Sequence, residues 1–196
     1  MRATRIITTL QRDRFVYCGQ AWRKAAALTA LRIPITSPPI TAVTFDPAWM
    51  EGKPLLYFKL HGYEDVQDWY GLDFHGERPI ALTPDLVRQA DLTGAIVIAV
   101  VCYGAGREME AAFLEAGAIA FFGSTDEVLA REDTVEEGDL LAQQILSLAR
   151  KSQNLQDVLA QAKERYRILR GKDLTDYDHT TLEAFTVTLT KGGAHV

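Results

Sequence analysis

Apolar residues in this chain gather into short dense runs separated by polar, glycine-containing stretches, the spacing of a protein that alternates strands and helices. Residues 55–60 (Leu-Leu-Tyr-Phe-Lys-Leu) and 95–101 (Ala-Ile-Val-Ile-Ala-Val-Val) are rich in β-branched and aromatic types. Runs of this kind predict strands buried on both faces, as in a parallel sheet. A shorter strand is expected over 14–18, followed by Gly19 and a run of good helix formers over 21–31. Three prolines between 33 and 39 forbid a regular helix there, and 40–45 alternates enough to predict a strand or edge segment before Asp46-Pro47 turns the chain.

Residues 63–80 show no clear period and predict a loop at the edge of the sheet. Thr83-Pro84-Asp85 has the form of a helix start, with Thr83 as N-cap and Pro84 in the first turn, leading to about residue 90. A parallel pair of strands needs such a crossover. Beyond 102 the pattern predicts a helix over 107–115 and a strand over 119–123, then an acidic stretch over 126–139. Helical spacing follows over 140–169 with a break near Asn154, and β-branched content predicts a last strand over 181–189. Lys191-Gly192-Gly193 is expected to end the ordered region.

Composition narrows the function classes. A chain of 196 residues that is 47% hydrophobic suits one globular domain spanning 1–196. The net charge of −5 argues against a nucleic-acid partner, since phosphate backbones demand a basic patch. No run approaches the roughly 18 apolar residues of a membrane span, and the basic N-terminus has too short an apolar part for a secretory signal, so the cytoplasm is the expected location. Two cysteines, Cys18 and Cys102, rule out a disulfide framework. With neither a CxxC pair nor an HExxH helix, no metal is expected from His61, His75 or the cysteines, and no cofactor is implied.

The chemistry concentrates at two strand ends. The first run ends in His61-Gly62 and the second in Cys102-Tyr103-Gly104, 41 residues after the histidine. The carboxyl ends of parallel strands are where α/β folds place their ligands, so both side chains are expected on one edge. A thiol nucleophile needs a nearby imidazole to hold the thiolate or protonate a leaving amine. Gly62 lets the backbone approach a substrate closely, and the glycines at 104 and 106 allow a tight turn with exposed N–H groups. Cys18 is read as structural, His75 as a weaker candidate, and His179 and His195 as solvated.

A strand ending in His-Gly, a helix, and a second strand ending in Cys resembles the caspase-like (clan CD) cysteine peptidases. Gly104-Ala-Gly106, the run 107–115, Ala116-Gly117-Ala118 and the strand leading to Gly123-Ser124-Thr125 bring the likeness closest to bacterial CHAT and gingipain-like domains. It is strongest over residues 50–170. The resemblance implies a three-layer α/β/α, flavodoxin-like sandwich with a mainly parallel sheet. It also implies a Cys102–His61 dyad and an oxyanion hole from the backbone N–H groups of Gly62 and Cys102. The reaction implied is hydrolysis of a peptide or protein substrate through a thioester, with room for a regulatory protein partner. Asp126 and Glu127, just past the strand after Cys102, are candidates for the specificity pocket, and Trp69 for an apolar wall or for packing beneath the loop.

Two other readings stay open. Val101 stands where these families carry a small or polar residue, which favours a non-catalytic caspase-like module acting as a binding or regulatory platform. Cys102-Tyr103-Gly104 is also half of the nucleophile elbow of α/β-hydrolases, which would draw on a late histidine, here His179.

Overall fold

Both dense apolar runs form strands buried along almost their whole length: β2 (Leu55–Lys59) and β5 (Ile96–Val100). The structure, a computed structural model, describes residues 15–18, 41–71, 73, 75, 77–128, 137–149, 152, 154–172 and 174–190. β2 and β5 pair in parallel with Lys59 opposite Val100. Outside them lie β1 (Phe15–Cys18) against β2 and β6 (Ala120–Ser124) against β5, both parallel. β7 (Phe185–Leu189) closes on β6 antiparallel. The order β1-β2-β5-β6-β7 leaves β2 and β5 in the interior of a mainly parallel sheet.

Successive strand residues point to opposite faces, so each strand feeds two cores. On one face Leu56, Phe58, Val97, Ala99 and Phe121 meet α1 (Pro84–Arg88) and α2 (Glu108–Glu115), which supply Val87, Met109 and Phe113. On the other, Tyr57, Ile98, Val100 and Phe122 pack with α3 (Glu137–Ala149), α4 (Gln156–Arg170) and α5 (Asp176–Ala184), which contribute Leu141, Ile145, Val158, Tyr166 and Leu182. The result is the expected three-layer α/β/α sandwich. The steps β2 to β5 and β5 to β6 run in the same direction across the sheet, and single-handed crossovers place α1 and α2 on the same face.

Local signals fix several boundaries as the sequence predicts. Thr83 Oγ1 accepts from Leu86 N at 3.2 Å, a cap worth about 1 kcal/mol, with Pro84 opening α1. The long helical run breaks between Ala149 and Gln156, where Asn154 Oδ1 accepts from Gln156 N at 3.0 Å.

Three expectations change. Residues 41–45 form a turn in place of a strand, closed by Thr44 N donating to Thr41 O at 3.1 Å. The predicted loop over 63–80 contains a two-stranded ribbon, β3 (Trp69–Tyr70) and the start of β4 (Ile80–Leu82). Residues 181–184 belong to α5. A capping box between Thr175 and Asp178 starts that helix, and burial of Thr181 and Leu182 outweighs their β-propensity, so the strand begins only at Phe185. The helix expected over 21–31, the proline-rich stretch to 39 and the tail from 191 lie outside the described residues. Among the described residues no helix is long and apolar enough to cross a membrane.

Candidate active site

The ladder between β2 and β5 ends at Lys59 and Val100, and its register carried two residues further sets His61 beside Cys102. Neighbouring strands lie about 4.8 Å apart. The two ends stay in contact past the ladder, because a Cβ on Gly62 would fall 1.9 Å from the Cys102 carbonyl oxygen and 2.9 Å from Val101 Cγ1. Only glycine fits there. Alternation supplies the facing: Leu60 and Val101 sit in the core under α1 and α2, while Cys102 packs on the opposite core. His61 stands two residues past Lys59, where the chain has left the ladder with β5 and pairs with Tyr70. Both side chains are half-buried.

His61 is fixed through its backbone. Its N–H donates to Tyr70 O at 2.9 Å and its carbonyl accepts from Tyr70 N at 2.8 Å, so β3 extends the end of β2. Gly62 N–H meets no protein acceptor among the described residues.

Cys102 sits against the segment after β6. Val128 N donates to Cys102 Sγ at 3.3 Å, and the thiol reaches Val128 O at 3.7 Å. A backbone N–H aimed at sulfur favours the thiolate, whereas the longer contact to Val128 O favours the thiol. The following turn is held differently from the expectation of exposed N–H groups. Tyr103 N donates to Asp126 O at 3.1 Å, Gly104 N to Val101 O at 3.2 Å and Ala105 N to Ser124 O at 2.8 Å, while Gly106 N meets the Glu110 carboxylate. Tyr103 adopts φ of 52°, a left-handed conformation unusual for an aromatic residue. Its ring lies 5.5 Å from the Arg107 guanidinium.

Asp126 and Glu127 are exposed and flank this turn, directly before the Val128 that touches sulfur. Burial, and then the charges of Glu127, Asp126 and Glu64, push the Tyr103 phenol above its ordinary pKa. Three carboxylates, those of Glu64, Asp126 and Glu127, thus act on the Tyr103 phenol, and the Arg107 guanidinium lies over its ring. Trp69 lies elsewhere: it is 2% exposed, in the core under α1 and α2, with ring centroids 5.5 Å from Phe58 and 5.7 Å from Phe113. It is packing beneath the loop, on the side of the sheet away from the thiol. His75 is exposed, and His179 is an exposed residue of α5. Among the described residues no three His, Cys, Asp or Glu side chains converge as metal ligands.

One buried polar cluster beside the site was not anticipated. Lys59 Nζ is ion-paired to Asp139 Oδ2, and Tyr57 donates to Asp139 Oδ1 at 2.7 Å, with all three side chains almost wholly inaccessible. A lysine inside an apolar strand run was the available signal. Its partner stands 80 residues away, at the end of an acidic stretch whose pattern resembles a solvated loop.

No family model matches the chain, and neither does any curated protein. A solved structure described as "Structure of Protease" is similar in fold, with a TM-score of 0.50 at 13% identity over 94% of this chain and 48% of that one. The chain thus spans about half the length of that structure.

Proposed function

We propose that the chain is a caspase-like cysteine endopeptidase in which Cys102 is the nucleophile and His61 its acid–base partner. What supports this reading is that His61 and Cys102 each stand just past the carboxyl end of one of two adjacent interior parallel strands, with Gly62 pressed against the Cys102 backbone. The fold likeness to a protease structure is in keeping with it. In this reading the Cys102 thiolate attacks the scissile carbonyl carbon, and the oxyanion formed accepts hydrogen bonds from the backbone N–H groups of Gly62 and Cys102. The C–N bond breaks as His61 delivers a proton to the departing amine, leaving a thioester on Sγ. Water, deprotonated by His61, then attacks the thioester, releasing a carboxylic acid and restoring the thiol. The carboxylates of Glu64, Asp126 and Glu127 favour substrates with a basic side chain next to the cleaved bond.

Labelling with peptidyl acyloxymethyl ketones carrying Arg, Lys, Asp or Leu at the first position tests nucleophile and specificity together. Mass spectrometry of the modified peptides is expected to find Cys102 labelled much faster than Cys18, and fastest by the Arg or Lys reagent. Fastest labelling by Asp would overturn the assigned specificity. Equal labelling of the two cysteines by every reagent would overturn the peptidase reading and leave a binding module. A companion measurement assigns the base: His61→Ala is expected to abolish amide turnover while an activated ester, whose leaving group needs no proton, still acylates Cys102.

A further inference from the structure

Lys59 and Asp139 form an ion pair inside the core, at 0% and 2% side-chain exposure, with the Tyr57 hydroxyl also on Asp139. Burying two charges is costly, and well-packed apolar residues of the same volume commonly give equal or greater stability. An ion pair at such a place is better suited to fixing register than to adding adhesion. What it registers can be followed atom by atom. Asp139 is the third residue of α3, and the residue before it, Gly138, is pressed against two valines. A Cβ on Gly138 would come 2.6 Å from Val128 Cγ1 and 2.8 Å from Val100 Cγ1. Val128 is the residue whose N–H donates to Cys102 Sγ, and Val100 lies two residues before Cys102 on the same face of β5. At the other end of the pair, Lys59 is two residues before His61 on β2.

The geometry points to the Tyr57–Lys59–Asp139 cluster as a positioning unit for the nucleophile: by pinning the first turn of α3 to β2 it keeps Val128 N–H on Cys102 Sγ and so holds the thiol in its reactive state. In this arrangement the three residues act through Gly138 and Val128. The inference rests on Cys102 being the nucleophile proposed above. Among the described residues, the titratable groups around the thiol and its turn include His61 from the β2 end, Glu64 from the loop after it, Tyr103, and Asp126 and Glu127 after β6, all retained in the variants below. The charges of Lys59 and Asp139 themselves are removed by the triple variant and kept by Tyr57→Phe.

The test is the pH dependence of iodoacetamide alkylation at Cys102, read peptide by peptide so that Cys18 does not contribute, alongside melting temperature. The variant Tyr57→Phe/Lys59→Met/Asp139→Leu replaces the whole cluster with apolar residues. It is expected to melt near the parent while its thiol midpoint rises by about one pH unit, as the N–H donor loses its fixed position. A parental melting temperature together with a parental midpoint would overturn the inference and leave the cluster as packing. Should the triple variant not fold, Tyr57→Phe alone decides the matter, since it removes one hydroxyl. It is expected to shift the midpoint in the same direction by a smaller, measurable amount, and an unchanged midpoint overturns the inference. Failure of the peptidase reading looks different: the parent protein's Cys102 would itself alkylate slowly, with an ordinary thiol midpoint.

Discussion

The two faces of the sheet are built on different terms. Under α1 and α2 the core is apolar apart from the Glu110 carboxylate, which meets Gly106 N, and four aromatic rings gather there: Phe58, Trp69, Phe113 and Phe121, with successive centroids 5.1 to 6.5 Å apart. On the side that carries Cys102, the apolar core is interrupted by two buried carboxylates, Asp139 with Lys59 and Tyr57, and Asp178 with Tyr166 and Arg170. Apolar contacts are non-directional and tolerate small slips, whereas hydrogen-bonded ions accept one geometry. Adhesion dominates the first face and alignment the second, and the second is the face that carries the proposed nucleophile, Cys102.

Substitutions on the two faces are expected to separate these roles. The largest effect falls on the aromatic face: Phe113→Ala is expected to cost about 4 kcal/mol in denaturant unfolding, because the rings around it cannot close the space left. A loss below about 1 kcal/mol would mean that this face is loosely packed. On the other face, Lys59→Met alone is expected to cost about 3 kcal/mol by stranding the Asp139 carboxylate, and adding Asp139→Leu is expected to recover most of it. Additive losses in that double-variant cycle would contradict the pairing.

A turnover assay sharpens the contrast further. Gly62→Ala places a methyl group against the Cys102 carbonyl and is expected to lower kcat/KM by about 100-fold, the scale of losing one oxyanion donor. The last contrast is one of pH, at Asp178, whose contribution to stability is complete at neutral pH and fades in acid. Burial raises its pKa, but hydrogen bonds from Tyr166, the Thr175 backbone, Arg170 and the Thr175 hydroxyl outweigh that and hold the carboxyl well below its ordinary range. A depressed folded pKa gives stability that is complete above the unfolded value of about 4 and is lost as pH falls toward the folded one. Asp178→Asn is expected to flatten the acid limb of a melting-temperature profile between pH 4 and 2, approximately, and an unchanged limb would remove Asp178 from the account.

What could be read from the sequence follows the range of each interaction. β2, β5 and β6 were legible because a buried strand carries its signal within a few residues, and Thr83 because a cap acts over three. His61, Gly62 and Cys102 stood out as strand ends. Trp69 was ambiguous because its ring partners come from β2, α2 and β6, none of them near it in sequence. The Lys59–Asp139 pair was illegible for the same reason. Thr181 and Leu182 misled in another way, since their β-propensity is local while the cap and burial that make them helical depend on Thr175, Asp178 and the packed core.

Tyr103 shows what such a site exacts from its surroundings. A left-handed φ on a residue with a side chain costs on the order of 1 kcal/mol or more, and the cost is borne in the turn that directly follows the thiol. Glycine at 103 would release it at once. A selection for thermal robustness would favour that replacement, and, on the peptidase reading proposed above, a selection for turnover would reject it, since the same relaxation frees the Cys102 backbone to wander. The turn after Cys102 is thus where improved durability and retained function would diverge most sharply.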